Sequence, residues 1–468
     1  MPMAGLSIPS PRVTSLLWLT AFAVGVLVFT LWFGVNTDRQ YVHPLLTQLI
    51  PAGHCTCASS TTFECASCLS CASSSKVEAS PPSSSPPWSF QYGRDDRNEA
   101  LDRGQCLAAF PGLFEDVSRA AAFWESRGGI TMEDLDAIEL KNAMARAFIY
   151  KGELYVVAAR AKGEDHRRKI LAVLSSIHRA LVASPDRAQR PNIEFVFSIE
   201  DRVDDVMGPG HPAWVLARRP TEEAVWLMPD FGFWAWDNLF NSIGPYGQVV
   251  GRIERSETPW PEKKRKLVWR GKPSFAPKLR RALMDAARGK PWDDVKQVDW
   301  VRKTNLMGME DHCDYMFIAH VEGRSYSASL KYRQACRSVI VAHKLQYIQH
   351  HHYLMVASGP DQNYVEVERD FTDLAPKIEA LLADPAAAER IANNSVKTFR
   401  ERYLTQAAEA CYWRALFDGY ASVWKGNVSL WDEADPKKER GMRYESFVLL
   451  ENKDMYDFST ALSSQHFR

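Results

Sequence analysis

The stretch YMFIAHVEGRSYSASLKYRQACRSVIVA, residues 315–342, decides the fold class of this 468-residue chain. It begins with an apolar run of strand length, Tyr315–Ala319, and it ends with a β-branched run, Val339–Ala342. A helical stretch that contains Leu330 to Ala335 lies between the two runs. Strands that alternate with helices in this way are typical of an α/β domain.

The same alternation extends on both sides of this stretch, from about residue 93 onward. Hydrophobic periodicity distinguishes the strands from the amphipathic helices. The further predicted elements are a β-hairpin of Phe148–Tyr150 and Leu154–Val157 around Lys151-Gly152, a helix over His166–Ser184, strands over Ile193–Ile199 and Leu267–Trp269, a helix from about Pro277 to Arg288, and a mostly helical region over Leu374–Trp424.

The stretch Val13–Val35 contains no charged residue and predicts a membrane anchor. As a helix it would span roughly 35 Å, which is enough for a bilayer with some tilt. A cleaved signal peptide would have a shorter apolar region that leads to a small-x-small cleavage site. The charges that flank the stretch are balanced, so the short N-terminal side favours a cytosolic N-terminus and a lumenal main domain.

The segment after the anchor predicts a stem. It is rich in Ser and Cys, ends near PPSSSPP at residues 81–87, and cannot bury enough apolar surface to offset its ordering entropy. The predicted organisation is a cytosolic tail over residues 1–12, a transmembrane anchor over 13–35, a stem over 36–92, a globular domain over 93–426 and a C-terminal tail over 427–468.

Composition excludes little, but it gives no electrostatic argument for a nucleic-acid partner, because Lys+Arg and Asp+Glu are equal at 57 each. Fifteen Trp and sixteen Tyr suit a large core and also sugar or peptide clefts. Asn393 and Asn427 begin Asn-x-Ser triplets and are candidate glycosylation sites.

The chain contains nine cysteines, and their arrangement bears on whether the main domain is lumenal. Five lie between Cys55 and Cys71 with a spacing that resembles zinc ligands, but no predicted strand or helix fixes them, so disulfides within or between stems are favoured. In a lumenal domain the scattered cysteines also predict disulfides. They are Cys106, Cys313, Cys336 and Cys411.

Three predicted strands end in residues that could carry chemistry. The first is the predicted strand Ile193–Ile199, which is followed by Asp201. Open α/β sheets bind ligands beyond the carboxyl ends of their strands, so the Asp201 carboxylate could act as a general base. A helix cap or a surface turn is the alternative for Asp201. Asp204 and Asp205 lie nearby, but their spacing by itself does not support a metal site.

The second strand end is the run Val268–Ser274, followed by a helix that bears Lys278, Arg280 and Arg281. A strand, a glycine-containing loop and a helix N-terminus form an anion site, and arginine can clamp a diphosphate through two hydrogen bonds. A basic helix face without a ligand is the alternative.

The third strand end is the hydroxyl-rich turn Gly323–Lys331, whose amides and hydroxyls could bind phosphate oxygens without a metal. An ordinary helix start is the alternative. The aromatic residues at 231, 233, 234 and 236 could wall a cleft or fill the core. The consecutive histidines at 350–352 do not converge on one ion in a strand or helix.

Together these segments resemble glycosyltransferase family 90, the family of capsule-associated xylosyltransferases and protein O-glucosyltransferases, in its fungal-type branch. The resemblance runs from about Gln105 to Trp424. The runs that carry it are Met228–Trp234, Trp269-Arg270-Gly271, Asp311–Cys313, Gly323–Ser327 with Leu330-Lys331-Tyr332, and Cys336–Val341.

The resemblance implies a GT-B-like architecture, with two Rossmann-like lobes around a cleft. It implies a Golgi or ER enzyme that transfers xylose or glucose from a UDP-sugar to a glycan or protein acceptor, with inversion and without a metal or other cofactor. The family's base falls on Asp201 and its phosphate-binding segment on Ser274 and Arg280, with Lys278 or Arg281 as substitutes. The expected substrate-binding residues are Arg270, Ser274, Arg280, Arg324, Ser325, Tyr326, Ser327, Ser329, Lys331, Phe231 and Trp234.

One position departs from the family, which usually has Arg just before the Leu-Lys pair, where this chain has Ser329. Serine supplies neither the charge nor the two-pronged geometry of arginine. Either Arg324, Lys331 or Arg333 compensates, or activity is weakened or lost. A catalytically silent member that binds sugar nucleotide or glycan is therefore the alternative function.

The resemblance also implies disulfide pairings. Cys313 and Cys336 match a disulfide of the family. Cys411 matches a cysteine that pairs with an N-terminal partner, for which Cys106 is the candidate and Cys55 or Cys57 the alternatives.

Overall fold

Two β-sheets with helices around them form the framework of the described residues. This computed structural model describes Val24 and residues 88–450, except residues 203, 205, 206, 237–242, 300 and 433. The α-helices of these ranges are α1 (Arg103–Ala109), α2 (Glu115–Glu125), α3 (Met132–Asp136), α4 (Glu164–Val182), α5 (Tyr246–Ser256), α6 (Pro277–Ala287), α7 (Leu330–Gln334), α8 (Leu374–Ala383), α9 (Pro385–Thr398), α10 (Gln406–Val423) and α11 (Tyr444–Leu450). The strands are β1 (Met144–Tyr150), β2 (Glu153–Arg160), β3 (Ile193–Ser198), β4 (Trp214–Val215), β5 (Trp226–Leu227), β6 (Lys264–Gly271), β7 (Asp293–Gln297), β8 (Tyr315–His320), β9 (Val339–His343), β10 (Val365–Val367) and β11 (Met442–Arg443).

The first sheet is mixed, with strand order β11-β2-β1-β3-β4-β5. β1 pairs antiparallel with β2 and β3, whereas β4 and β5 continue parallel to β3. The β1–β2 hairpin turns at Lys151 and Gly152, both with positive φ, which is the geometry that matches the twist of the flanking strands. Glycine is required there because a Cβ at Gly152 would collide with the carbonyl of Arg187.

The second sheet is entirely parallel, with strand order β10-β9-β8-β6-β7. This is the doubly wound order in which the chain reverses direction between its first and third strands, here β6 and β8. Every residue of β8 and β9 is buried, as expected for strands covered by helices on both faces. Ligands bind at such a reversal, outside the carboxyl ends of the two strands.

We call the first sheet with α2, α4 and α10 the first lobe, and the second sheet with α6, α8 and α9 the second lobe. Segments beyond their strand ends meet. The amide of Arg218 donates to the carbonyl of Ile348 at 3.1 Å, and the amide of Ile348 donates back to Arg218 at 2.7 Å. Arg218 follows β4 and Ile348 follows β9, so the carboxyl edges of the two sheets face each other.

The predicted α/β class is confirmed, and the predicted strands and helices all form within a few residues of their predicted bounds. The sequence placed residues 427–468 in a C-terminal tail, but residues 442–450 form β11 and α11. β11 pairs with β2 at the edge of the first sheet, so the folded domain continues past residue 426. A two-residue strand is too short to show a hydrophobic period, which is why the sequence did not indicate it.

Two disulfides lie within the described residues. Cys106–Cys411 joins α1 to α10, and Cys313–Cys336 joins the segment before β8 to the segment after α7. Both predicted pairings are therefore confirmed, with Cys106 as the partner of Cys411.

The predicted membrane anchor lies outside the described residues apart from Val24, and so does the predicted stem over residues 36–92 except for residues 88–92. These five residues belong to the folded unit, and the ring of Phe90 packs against Phe110 with centres 5.1 Å apart. None of the helices in the described ranges is both long enough and apolar enough to cross a membrane. The anchor and the stem remain predictions.

Candidate active site

Arg280 stands at the point where the second sheet reverses. Helix α6 begins at Pro277, shortly after β6 ends, and places the Arg280 guanidinium beneath the turn after β8. Its Nε donates to the carbonyl of Glu322 at 3.0 Å, and its Nη1 donates to the carbonyl of Lys272 at 2.8 Å. No carboxylate of the described residues pairs with it, and burial lowers its pKa to about 10. A buried cation held by carbonyls and two aromatic ring faces, without a carboxylate among the described residues, suits an anionic ligand.

The turn that follows β8 approaches this guanidinium closely. A Cβ at Gly323 would lie 3.2 Å from Nη2 of Arg280, so a larger residue would press on the cation. Arg324 is exposed at the same turn. The hydroxyl oxygens of Ser327 and Ser329 are 3.0 Å apart and share a hydrogen bond.

Ser325 and Tyr326 are buried in this turn, and neither side-chain oxygen has a hydrogen-bond partner among the described residues. Burial first, and then the charges of Asp230 and Asp201, raise the pKa of Tyr326. Tyr326 belongs to the turn of the second lobe, whereas Asp201 follows β3 of the first lobe. Asp201 is exposed after β3, and its charge acts on Tyr326 of the second lobe.

Lys331 follows this turn and is paired with Asp230. Its Nζ lies 2.7 and 2.8 Å from the two carboxylate oxygens, and both side chains are almost fully buried. It also donates to the carbonyl of Ala328 at 2.9 Å. Burial lowers the pKa of Lys331, while the charge of Asp230 acts in the opposite direction. This ion pair joins the two lobes. It also engages Lys331, one of the cations expected to replace the arginine that is missing at position 329.

The segment of Phe231 and Trp234 begins at Asp230, whose carboxylate caps the amide of Gly232 at 2.7 Å. Phe231 is buried, with the Nζ of Lys169 4.9 Å from its ring centre. Trp234 is half-buried and lines a cavity of about 860 Å³ that neither Asp201 nor Arg280 lines. Other residues that line this cavity include Tyr246, Arg400, Glu409 and Trp413.

Arg270 and Ser274 complete the expected set. Nη2 of Arg270 binds Asp294 on β7 at 3.0 Å, and its Nη1 donates to the carbonyl of the same residue. Hydrogen bonds from Lys296, Tyr315 and Arg270 outweigh burial and lower the pKa of Asp294 to about 2. Arg270 thus stabilises the β6–β7 edge, whereas Ser274 is exposed in the turn before α6.

The consecutive histidines lie in the segment that links β9 to β10, where His350 and His351 are buried and His352 is half-buried. Burial lowers the pKa of His350 to about 3 and of His352 to about 4, and lowers that of His351 as well. In the part of the chain that the structure describes, no three His, Cys, Asp or Glu side chains come together as a metal-binding group.

The glycosylation candidates differ in setting. Asn427 is exposed in a loop, whereas Asn393 is half-buried on α9, and the Ser395 of its triplet is fully buried.

Sequence reasoning named Arg333 only as one of three substitutes for a missing charge, and it did not mention His320. The structure places both at the reversal of the second sheet, where Nη1 of Arg333 donates to Nδ1 of His320 at 3.2 Å. The period of α7 could have indicated burial of Arg333, but it could not have shown what surrounds this side chain.

Comparison with protein families gives one match. Residues 104–448, well over half of the chain, match the model described as Glycosyl transferase family 90. No curated protein matches the chain.

Proposed function

The chain belongs to glycosyltransferase family 90, and from that premise we propose that it is an inverting, metal-independent transferase that moves xylose or glucose from a UDP-sugar to a hydroxyl of a glycan or protein. The two facing lobes form a GT-B-like cleft. The donor occupies the reversal of the second sheet, and the acceptor approaches from the first lobe.

The observation that carries this proposal is the pair of groups on the two facing edges. Asp201 lies beyond β3 and is close enough to the donor turn for its charge to raise the pKa of Tyr326. Arg280 lies beneath that turn, and no carboxylate in the part of the chain that the structure describes pairs with it. A base on one edge and a free positive charge on the other are the two groups that a single displacement needs.

In this reaction the acceptor oxygen attacks the anomeric carbon of the donor sugar. The bond between that carbon and the phosphate oxygen breaks, and its electron pair leaves with UDP. The acceptor proton passes to the Asp201 carboxylate. The positive charge of Arg280 stabilises the negative charge that develops on the departing diphosphate.

The predicted anchor and stem extend the proposal to location. We propose that the protein is a single-pass type II protein of the Golgi or ER membrane, with the lobes in the lumen. The two disulfides Cys106–Cys411 and Cys313–Cys336 support an oxidising compartment.

The alternative is a silent family member that binds sugar nucleotide or glycan. The observation that favours it is the ion pair of Lys331 with Asp230, which leaves Ser329 without this neighbouring cation as a substitute. The wild-type chain would then bind UDP and release none from any UDP-sugar.

The test is release of UDP by the full-length chain from several UDP-sugars, with and without EDTA, in the presence of glycan or protein acceptors. We expect release that EDTA does not affect. Asp201→Asn lowers the rate by roughly 10²- to 10⁴-fold, since that is the usual contribution of a general base, and keeps UDP affinity.

Asp204→Asn is the matched control. Asp204 lies three residues away and pairs with Arg219 at 3.0 Å, so its loss should leave the rate nearly unchanged. Equal losses in the two variants would contradict the role of Asp201, and release that EDTA abolishes would contradict metal independence.

A further inference from the structure

Arg333 is a buried arginine that has no counter-charge within the described ranges. It lies on α7 with 5 % of its surface exposed, and the only hydrogen-bond partner of its side chain among the described residues is Nδ1 of His320. Its Nε is buried and has no partner in these residues. Burial, and after it the charge of Arg280, lower the pKa of Arg333 to about 9.

The surroundings of Arg333 are cationic or neutral rather than acidic. His320 ends β8, and the charges of Arg333 and Arg280 both help to lower its pKa, after burial. Glu322 is nearby in sequence, but its carboxylate is taken by Arg369 at 2.9 Å and by the amides of residues 346 and 347 at 2.8 Å. Two guanidinium groups thus flank residues 320–322 and share no carboxylate.

Two buried guanidinium groups without a carboxylate lower the stability of the protein when no ligand is bound. A buried charge without a partner loses its hydration, and two such charges of the same sign also repel each other. An anion that enters between them would remove both costs. The reversal of the second sheet, where β8 ends, is where such a fold binds its ligands.

The position of Arg333 relative to Ser329 is also specific. The amide of Arg333 donates to the carbonyl of Ser329 at 3.1 Å, so the two residues lie one helical turn apart on the same face. A long side chain at position 329 or at position 333 can therefore bring its charged group to the same region beside the end of β8.

We propose that Arg280 and Arg333 together form the anion site that takes the diphosphate of the donor, with Arg333 supplying from one turn further along α7 the charge that Ser329 lacks. The inference rests on the proposed use of a nucleoside diphosphate sugar. It adds Arg333 to the proposed donor site. It also explains why no carboxylate of the described residues pairs with Arg333.

Arg333→Met in the full-length chain is the central test, with UDP, uridine and inorganic pyrophosphate as calorimetric probes. We expect UDP and pyrophosphate to bind at least about tenfold more weakly, because a charge-assisted contact is lost, and uridine to bind as before. We also expect the melting temperature of the unliganded protein to stay the same or rise, since an unpaired buried charge is removed.

Two further variants sharpen the result. Ser329→Arg combined with Arg333→Met should regain most of the UDP affinity, because it returns the charge from the adjacent turn. Arg288→Met, which removes an exposed arginine at the end of α6, should change none of the three affinities.

The possible outcomes separate this inference from the proposed function. UDP affinity within about twofold of wild type in Arg333→Met would overturn the inference even if the enzyme transfers sugar. Failure of this variant to fold, or a fall in melting temperature with equal loss of uridine binding, would make Arg333 a structural residue and also overturn it. Binding of UDP that depends on Arg333, in a chain that releases no UDP from any donor, would support the anion site and contradict the transferase.

Discussion

Two buried cations on α7 lie two residues apart and have opposite surroundings. Lys331 meets both oxygens of Asp230 and joins the lobes, whereas the described residues offer the Arg333 side chain only a histidine nitrogen at the end of β8. Both lose their hydration, but only Lys331 regains a counter-charge within the protein. A buried cation with a partner holds the fold together, and one without a partner is available to a ligand.

The first way to break this comparison is Lys331→Met, for which we expect the largest effect on stability. The variant leaves Asp230 buried without its cation, and such a loss typically lowers the free energy of unfolding by about 3–5 kcal/mol. Urea denaturation of the wild type and the variant measures the change. A loss no larger than that of Arg333→Met would contradict the distinction between the two cations.

The double variant Asp230→Asn/Lys331→Met is the control for this prediction. Because it removes both charges, most of the lost stability should return, although the cap on Gly232 is weaker. If the double variant is as unstable as Lys331→Met, the side-chain packing of Lys331 matters more than its charge.

The buried histidines extend the comparison to protonation. Burial lowers the pKa of His312 and His352 to about 4 and that of His350 to about 3, whereas the unfolded chain binds these protons near pH 6.5. The stability that the neutral rings contribute is therefore complete above pH 6.5 and is lost as the pH falls below it. Between pH 6.5 and its pKa in the folded protein, each of these histidines reduces the free energy of unfolding by about 1.4 kcal/mol for every unit that the pH falls.

His350→Phe tests this slope in one residue. His350 lies against Phe233 and Tyr412, with ring centres 5.7 and 4.7 Å away, so an apolar ring should fit its place. Urea denaturation at pH 7.5, 6.5 and 5.5 should show a shallower fall in stability for the variant, by about 1 kcal/mol between the last two values. Parallel curves for the two proteins would show that His350 does not remain neutral in the folded state.

The sequence indicated the sheets and the disulfides better than it indicated charge pairing. Strands such as β8 are continuous apolar runs, and such runs are visible from local pattern alone. The pairing of Lys331 with Asp230 joins residues 101 positions apart, and it depends on how the lobes meet. Whether Lys331 or Arg333 replaces the missing arginine could therefore not be decided from spacing.

The location of the proposed donor site could be predicted from the sequence, but the side chains that line it could be predicted only in part. A strand, a glycine-containing turn and a basic helix indicated an anion site around Arg280, and the structure places that side chain at the reversal of the second sheet. The same reasoning expected Arg270 to bind the donor, whereas its guanidinium binds Asp294 in the structure. A polar side chain near a strand end has several partners within reach, and only the fold selects among them.

Ser329→Arg in the wild-type chain should have the smallest effect of these variants. It measures how fully Arg333 already supplies the charge that Ser329 lacks. The new arginine would add a donor to the diphosphate site, so UDP affinity should rise, but repulsion from Arg333 one turn away should limit the gain to roughly two- to fivefold. Calorimetry with UDP at two salt concentrations measures it. Unchanged or weaker binding would contradict the prediction, and a gain far above tenfold would mean that Arg333 does not supply the charge that Ser329 lacks.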